Sequence, residues 1–157
     1  MNVVDEGYQL RKPDTDSAWD TFHRIRRSVL FERRGRGDIY DPTHPDDRAA
    51  DHYPLLLWHD DVPVGVIRLD YLVDDSVVTR LVAVDGPVQR RGHGRVLLLL
   101  AEAWAREHGA RRMVVNAATD AEGFYAKMGY RRGAWHDPHF AEGGAVLMDT
   151  VPMVKPL

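Results

Sequence analysis

At its centre the chain reads Val84-Asp-Gly-Pro-Val-Gln-Arg-Arg-Gly-His-Gly-Arg-Val-Leu97, where a strand-like run passes through a loop directly into a helical pattern. Gly92 and Gly94 let the backbone bend sharply and come close to a ligand. The start of a helix presents unpaired N–H groups and a partial positive charge, which together suit a phosphate. Three arginines (positions 90, 91 and 95) surround this point and favour an anion site over a merely flexible connection.

Two widespread phosphate motifs are absent from this loop. The dinucleotide fingerprint requires a third glycine after Gly92 and Gly94, and the mononucleotide P-loop requires Gly-Lys followed by Ser or Thr. Neither occurs here. A Gly-x-Gly loop on its own also fits a flexible connection, so these residues alone leave the type of phosphate ligand open.

Hydrophobic spacing on both sides of the loop predicts a sheet covered by helices. Apolar residues three and four positions apart predict helices over Ser17 to Glu32, after a start rich in capping side chains, and over Arg95 to His108. A capping box, Thr119 to Glu122, predicts a third helix that ends at Met128. Strand-like segments are expected at 53–59, 64–72, 76–84, 112–116, 130–133 and 146–154. Their order predicts a mixed α/β sheet in three layers, α/β/α.

The composition is that of an ordinary globular chain. It has 157 residues, 44% of them hydrophobic and 29% charged. This length predicts one domain over residues 1–157. No apolar run approaches the roughly 20 residues that a membrane helix needs, and no signal peptide is visible, so we expect a cytoplasmic protein that does not contact a membrane.

Charge and metal-ligand content exclude several classes of function. The formal net charge is −3, and the chain lacks the basic footprint of a protein that binds duplex nucleic acid. It contains no cysteine, which removes disulfides, thiolate nucleophiles and cysteine-bound zinc. The histidines of segments 44–52 and 136–139 lack the i, i+4 spacing and a third ligand, so no metal is expected.

Two motifs in order resemble the GNAT superfamily of N-acetyltransferases. Gln89-Arg-Arg-Gly-His-Gly94, preceded by Leu81-Val-Ala-Val84 and followed by an apolar helix, is similar to the motif Gln/Arg-x-x-Gly-x-Gly/Ala. Downstream, Phe124-Tyr-Ala-Lys-Met-Gly-Tyr130 looks like the core of the superfamily's next motif. The resemblance covers about Val62 to Gly133 well. It implies the GNAT fold, with a central sheet in which two neighbouring strands splay apart.

The resemblance also implies where acetyl-CoA lies, namely between the parallel strands formed by residues 76–84 and 112–116. Backbone groups of the first strand would pair with the pantetheine arm, and backbone N–H groups of the glycine loop would hold the pyrophosphate. Relatives often carry an amide side chain at the position of Ala118; Asn116 either replaces it or is a turn residue. The implied cofactor-binding residues are Leu81, Val82, Val84, Gln89, Arg90, Arg91, Gly92, His93, Gly94, Arg95 and Asn116.

Acyl transfer from a thioester to an amine requires an acid for the thiolate, a donor for the oxyanion and a base for the ammonium. The resemblance implies that Tyr125 is the acid; the alternative is that its ring only packs with Phe124 in the core. A backbone N–H near Val82 is the implied oxyanion donor. These assignments leave the base to be found.

The general base is open at this point. Many relatives use a glutamate on the strand that corresponds to residues 76–84, which here contains no acidic residue. The candidates are Asp70, a histidine of the late loop (His136 or His139) and a relay of water molecules. For the three side chains the alternative is an ordinary surface or turn residue.

The sequence therefore predicts an N-acetyltransferase that moves acetyl from acetyl-CoA to a primary amine by direct attack through a tetrahedral intermediate. The acceptor, a small molecule or a protein amine, is not specified by these motifs. The main alternative is a non-catalytic acyl-CoA-binding sensor or scaffold of the same fold; a mononucleotide-binding protein is a further one. Aspartates between Gly35 and Asp51 either attract a cationic amine or form a solvated loop. A homodimer is compatible with this prediction.

Overall fold

The computed structural model describes residues 7–138 and 149–157, which form one sheet of seven strands with three α-helices. The strands are β1 (Tyr8–Arg11), β2 (His52–His59), β3 (Val62–Tyr71), β4 (Ser76–Val84), β5 (Arg112–Ala118), β6 (Arg131–Arg132) and β7 (Thr150–Pro156). The helices are α1 (Asp16–Arg26), α2 (His93–Glu107) and α3 (Glu122–Lys127). The order in the sheet is β1-β2-β3-β4-β5-β7-β6, with β4 and β5 parallel and the other neighbours antiparallel.

Alternating side chains of the central strands divide the core between the two faces of the sheet. In β2, Leu55 and Leu57 pack in the cluster that includes residues of α2 and α3. Leu56, which lies between them, packs with Phe22 and Ile25 of α1. Successive strand residues point to opposite faces, so α1 lies on one side of the sheet and α2 and α3 on the other. The predicted three-layer α/β/α arrangement with a mixed sheet is confirmed.

The first predicted helix forms but changes its winding partway along. Its start is capped by Thr15, whose side-chain oxygen accepts the backbone N–H of Ala18 at 3.0 Å, as the polar residues there predict. After α1 the chain continues as a π-helical turn, Arg27–Phe31, and then as a 3₁₀ turn, Glu32–Arg34. π turns are wider than α turns and frequently occur at functional sites.

The two parallel strands pair over a short distance and then separate. Pairing of β4 with β5 runs from Ser76 opposite Arg112 to Val78 opposite Val114 and goes no further among the described residues. Beyond this point β5 pairs on its other edge with β7, through to Ala118. The splayed central sheet implied by the resemblance is therefore confirmed.

A β-bulge interrupts β4 just past the point of separation. Leu81 and Val82 together take the place opposite a single residue of β3, Ile67. Leu81 has a φ of 51°, in the left-handed region that is uncommon for residues other than glycine. The bulge reverses the facing of the residues after it: Val77 packs on the α2 side and Ala83 on the α1 side. The strict alternation predicted for this strand is wrong beyond the bulge.

Three local predictions also differ from the structure. The capping box is wrong, because α3 begins only after a 3₁₀ turn, Thr119–Ala121, and the Glu122 carboxylate pairs with Arg132. The last predicted strand is β7, which starts at Thr150; residues 146–148 lie outside the described residues. The edge strand β1 was not predicted, since four residues are too short for a clear pattern. Within residues 7–138 and 149–157, no helix is long and apolar enough to cross a membrane.

Candidate functional site

A cavity of about 560 Å³ opens where β4 and β5 separate. It is lined on the α3 side by Tyr125 and on the α1 side by the turn that follows α1, including Phe31 and Arg36. The strands contribute its walls, with Thr79, Leu81 and Val82 from β4 and residues 115–118 from β5. The gap between the strands thus joins the two faces of the sheet, and we call this cavity the cleft.

The glycine loop ends in a helix start whose backbone donors are free. Gly92 has a φ of 88° and precedes α2 without any side-chain cap. The first intrahelical bond runs from the Val96 N–H to the Gly92 carbonyl at 3.3 Å. Among the described residues, the N–H groups of the three preceding positions, 93–95, have no hydrogen-bond acceptor. The arrangement suits an anion, because unpaired N–H groups converge where the helix dipole is positive.

Two loop residues that are predicted to bind the cofactor, Gln89 and His93, form hydrogen bonds within the protein. The Gln89 side-chain N–H donates to the Val84 carbonyl at 2.9 Å, and the Gln89 backbone N–H points to the Gly86 carbonyl at 3.3 Å. The His93 ring forms a 2.8 Å hydrogen bond with the Tyr8 hydroxyl, and burial lowers the pKa of His93. In the unliganded protein these contacts occupy the Gln89 side-chain N–H and one acceptor position of the Val84 carbonyl, and the cofactor-binding roles of Gln89, Val84 and His93 stay predictions. The cofactor-binding roles of the arginines at positions 90, 91 and 95 also stay predictions.

Tyr125, the residue predicted to be the acid, lines the cleft. Its side chain is 6% exposed, and burial raises its pKa to about 12. Its ring packs against Phe124 and Tyr130 at centroid distances of 5.3 and 5.4 Å. The hydroxyl has no hydrogen-bond partner among the described residues, so packing does not account for its polar atom. A phenol with this pKa stays protonated at neutral pH and is a proton donor in a dry site.

Asn116 lines the cleft, but its side-chain amide N–H donates to a neighbouring residue. Its Nδ2 donates to Asp137 at 2.8 Å, which leaves the amide oxygen as an acceptor. Asp137 is buried and also accepts two hydrogen bonds from Arg80, at 2.7 and 2.8 Å. Asp137 therefore holds the Asn116 side chain in one orientation. No local sequence pattern indicates this role of Asp137, because its partners Arg80 and Asn116 are 57 and 21 residues away in the chain.

Neither Asp70 nor His136, the two candidate bases that the structure describes, is a free carboxylate or imidazole lining the cleft. Asp70 is 1% exposed and accepts hydrogen bonds from Arg68, at 2.8 and 3.0 Å, and from Arg80 at 3.3 Å. Its negative charge is neutralised by these guanidinium groups, so the prediction of a proton-accepting Asp70 is not supported. His136 is exposed and does not line the cleft, and His139 lies outside the described residues. The water relay stays a prediction.

Three further lining residues escaped the sequence analysis. Thr79 is 3% exposed, and its hydroxyl has no hydrogen-bond partner in the described part of the chain. Arg34 and Arg36 reach the cleft from the turn after α1. A lone threonine on an apolar strand and arginines in a polar loop carry no recognisable pattern, and the two arginines follow a π-helical turn that the sequence analysis did not predict.

The aspartate-rich segment does not line the cleft. Asp47 is buried and accepts from Arg26 at 2.9 Å and from Arg68 at 3.3 Å. Asp41 caps its own turn by accepting from the N–H and hydroxyl of Thr43. These carboxylates stabilise the segment itself. In the described ranges, no group of three His, Cys, Asp or Glu side chains is arranged to hold a metal ion.

Comparisons with known proteins agree with this geometry. The model of the acetyltransferase (GNAT) family matches residues 17–130. A Bacillus subtilis protein whose name describes an acetyltransferase is 28% identical over 127 residues, which cover 78% of this chain and 82% of that protein.

Solved structures show the same fold. The structure of Escherichia coli ElaA superposes with a TM-score of 0.73 at 18% identity, covering 94% of this chain and 97% of that one. PaiA N-acetyltransferase from Thermoplasma acidophilum, solved in complex with coenzyme A, gives 0.67 at 14% identity, covering 96% and 99%. With the family model matching most of its length, the chain belongs to the acetyltransferase (GNAT) family.

Proposed function

We propose that the protein transfers an acetyl group from acetyl-CoA to a primary amine. The observation that carries this proposal is the position of Tyr125, a buried and protonated hydroxyl inside the cleft between two splayed strands. The site combines a proton donor with an anion-binding helix start on the same side of the sheet. The first is the acid that thioester aminolysis requires, and the second suits the phosphates of the donor.

Two backbone features support binding of the donor here. The free N–H groups at the start of α2 suit the pyrophosphate. Past Val78, β4 has no β5 partner along this edge, which leaves backbone groups near Leu81 and Val82 for the amides of the pantetheine arm. The arm would then run along β4 from the glycine loop into the cleft, bringing its thioester toward Tyr125.

The chemistry follows from these positions. The neutral amine forms a bond to the carbonyl carbon, and the charge that develops on the oxygen is stabilised by a backbone N–H near Val82. When the C–S bond breaks, Tyr125 donates its proton to the thiolate. The ammonium proton passes to water in this proposal, because neither Asp70 nor His136 lines the cleft and Asp120, the one carboxylate in its described lining, is exposed to solvent.

Ligand binding is tested by thermal unfolding with acetyl-CoA, CoA, ATP or NAD. A ligand at one hundred times its Kd adds about 2.7 kcal/mol to the free energy of unfolding, so acetyl-CoA and CoA should raise the Tm clearly. Stabilisation by ATP or NAD alone would contradict the proposal.

Turnover is tested separately by release of free CoA in the presence of a panel of primary amines. Release above the rate of spontaneous thioester hydrolysis supports an acetyltransferase. Tight binding of acetyl-CoA without release for any amine would favour the acyl-CoA-binding sensor.

A further inference from the structure

Two titratable side chains that the proposed mechanism does not use lie on the α1 side of the molecule, next to the cleft. They are Tyr40, which is buried, and His23, which is half-buried. An acceptor that arrives as an ammonium has to lose one proton before its nitrogen can attack the thioester. In the proposed function this proton passes to water, so the rate depends on the group to which water delivers it.

A second cavity adjoins the cleft on the side of α1. It measures about 480 Å³ and shares Phe31 and Leu81 with the cleft. Tyr40 belongs to its described lining. The Tyr40 ring also packs on Phe31, with ring centroids 4.9 Å apart, so the shared wall of the two cavities holds the tyrosine in place. Water in the second cavity would therefore join the cleft to Tyr40.

The Tyr40 hydroxyl is hydrogen-bonded to Nδ1 of His23. It has no other hydrogen-bond partner among the described residues, so the arrangement that leaves no buried proton unpaired has the phenol donating and Nδ1 accepting. The neutral ring then carries its proton on Nε2. Burial raises the pKa of Tyr40, which keeps the phenol protonated at neutral pH. An unprotonated imidazole nitrogen thus lies directly behind the tyrosine.

The other side of the His23 ring faces solvent. The ring lines a third cavity of about 370 Å³, whose lining includes the exposed residues Asp20, Arg24 and Arg27. Tyr40 is not part of the described lining of this third cavity, and His23 is not part of that of the second. The pair therefore spans the wall between the two cavities. Water on the solvent side can hydrogen-bond to Nε2 and solvate the charge of a protonated ring.

Aromatic packing holds the imidazole in this orientation. The Trp19 ring stacks on His23 at a centroid distance of 5.6 Å and an angle of 21°. The Phe22 ring meets His23 edge-on, at 5.4 Å and 87°. The ring is therefore clamped with Nδ1 directed to Tyr40.

Charged groups of both signs face His23 from α1, from the π-helical turn and from the segment before β2. They are Asp20, Arg24, Arg26, Arg27, Glu32, Asp41 and Asp47. The carboxylates favour a protonated ring and the guanidinium groups disfavour it. Burial, followed by the charge of Arg26, lowers the pKa of His23, so the neutral form prevails at neutral pH.

The carboxylates of the second cavity are weaker candidates for this proton. Asp47 is paired with two buried arginines. Hydrogen bonds from Thr43 lower the pKa of Asp41. Asp46 lies 3.7 Å from the ring of His44. An imidazole is the better proton acceptor, because its ordinary pKa is closer to neutral pH than that of a carboxylate.

We infer that Tyr40 and His23 together are the base that takes the proton of the acceptor ammonium. A water molecule of the second cavity passes a proton from the ammonium nitrogen to the Tyr40 oxygen, and the Tyr40 hydroxyl proton moves to Nδ1 of His23. The ammonium becomes a neutral amine and the ring becomes an imidazolium, so charge is conserved. The proton returns along the same path to solvent once the product has left. The inference rests on the proposed function.

The test compares two acceptors with the same carbon skeleton, ethylamine and trifluoroethylamine. At neutral pH ethylamine is an ammonium, whereas the fluorine atoms make trifluoroethylamine a neutral amine that needs no base. His23→Asn keeps a hydrogen-bond acceptor for Tyr40 but cannot take up a proton. We expect this variant to lower kcat/KM for ethylamine about 10²-fold and for trifluoroethylamine less than about threefold, measured by CoA release.

Tyr40→Phe should show the same selective loss. The double variant should be no worse than either single variant, because both residues act in one path. The control is His108→Asn, an exposed histidine just after α2 on the other face of the sheet, which should keep both rates. An equal loss for the two amines, or a wild-type rate with ethylamine in His23→Asn, would overturn the inference and leave the acetyltransferase intact.

The pH profile gives a readout that a merely structural role would not change. With the fastest amine of the panel, wild-type kcat/KM should fall toward acid pH as His23 becomes protonated. In His23→Asn this fall should disappear, and kcat/KM should instead rise with pH up to the pKa of the amine itself. The same profile in both proteins would contradict the inference.

Nitrogen NMR spectra separate failure of the inference from failure of the proposed function. The imidazole nitrogen shifts report the protonation and the tautomer of His23 without turnover. The inference requires a neutral ring with its proton on Nε2 at neutral pH; a proton on Nδ1 of the neutral ring, or an imidazolium, would overturn it. If no amine of the panel releases CoA, the proposed function fails, and the spectra still decide whether Tyr40 and His23 form the required pair.

Discussion

Tyr125 and Tyr130 lie with ring centroids 5.4 Å apart at an angle of 73°, yet their hydroxyl groups have opposite surroundings. The Tyr130 hydroxyl donates to Glu102 at 2.9 Å, and Glu102 also accepts from Lys155 at 2.7 Å. The Tyr125 hydroxyl faces the cleft without such a partner among the described residues. One tyrosine is thus a structural donor, whereas the hydroxyl of the other has no protein acceptor among the described residues, as the proposed role of Tyr125 requires.

Replacing Tyr125 by Phe should lower kcat about 10²- to 10³-fold, because general acid catalysis contributes roughly this much. The Kd for acetyl-CoA should change less than threefold, since the ring and its packing remain. Steady-state kinetics and calorimetry measure the two quantities. An unchanged kcat would remove the tyrosine from the mechanism.

The matched control is Tyr130→Phe, which deletes the neighbouring hydroxyl. It should retain kcat and lower the free energy of unfolding by about 1–2 kcal/mol, because buried Glu102 loses one donor.

The raised pKa of Tyr125 makes stability depend on pH in the alkaline range. An unfolded tyrosine ionises near pH 10, whereas the folded one ionises at about pH 12. The unfolded state therefore binds fewer protons between these values, and the stability linked to this group, complete below pH 10, is lost as the pH rises to 12. Urea unfolding at pH 9 and pH 11.5 should show a smaller alkaline loss in Tyr125→Phe than in the wild type, by about 2 kcal/mol. Equal losses would show that burial does not shift this group.

Gly94→Asp should abolish tight acetyl-CoA binding without unfolding the protein. A Cβ at this position meets only Val84 and Phe124, at ordinary distances of 3.6 and 3.9 Å. An acidic side chain in the first turn of α2 also interacts favourably with the helix dipole, so the Tm should not fall. The added carboxylate repels the pyrophosphate, and we expect the Kd measured by calorimetry to rise at least tenfold.

The comparison variant is Gly94→Ala, which adds the methyl group and no charge. It should weaken acetyl-CoA binding much less than Gly94→Asp. Wild-type affinity in the aspartate variant would place the donor elsewhere.

Asp137→Ala should destabilise the fold and loosen Asn116. The variant leaves the Arg80 guanidinium, which is 15% exposed, without its bidentate partner, and loss of one member of a buried pair costs about 3 kcal/mol or more. Arg111→Ala is the control, because the contact of Arg111 with Asp75 is 3.8 Å long and exposed, and the variant should change the free energy of unfolding by less than about 0.5 kcal/mol. Chemical denaturation measures the free energy of unfolding of both variants. Similar changes in the two would contradict this account.

Local patterns were sufficient to predict the parts of the site that are local in sequence. The glycine loop, which leads into α2, and the segment around Tyr125, which lines the cleft, each lie in one short motif. Asp137 was missed because it acts on Arg80, which is 57 residues away. The bulge at Leu81 was missed because a strand pattern predicts facing from spacing alone and does not encode an extra residue.

Thr79→Val should make the unliganded protein more stable. The hydroxyl of Thr79 is buried without a hydrogen-bond partner in the described structure, and such a group costs about 1–3 kcal/mol. Valine has nearly the same shape and lacks this polar atom, so the free energy of unfolding in urea should rise by about 1 kcal/mol. Thr79→Ser keeps the hydroxyl and loses a methyl group, and it should lower stability instead. A valine variant less stable than the wild type would show that the hydroxyl binds a partner in solution, with ordered water the first to examine by crystallography.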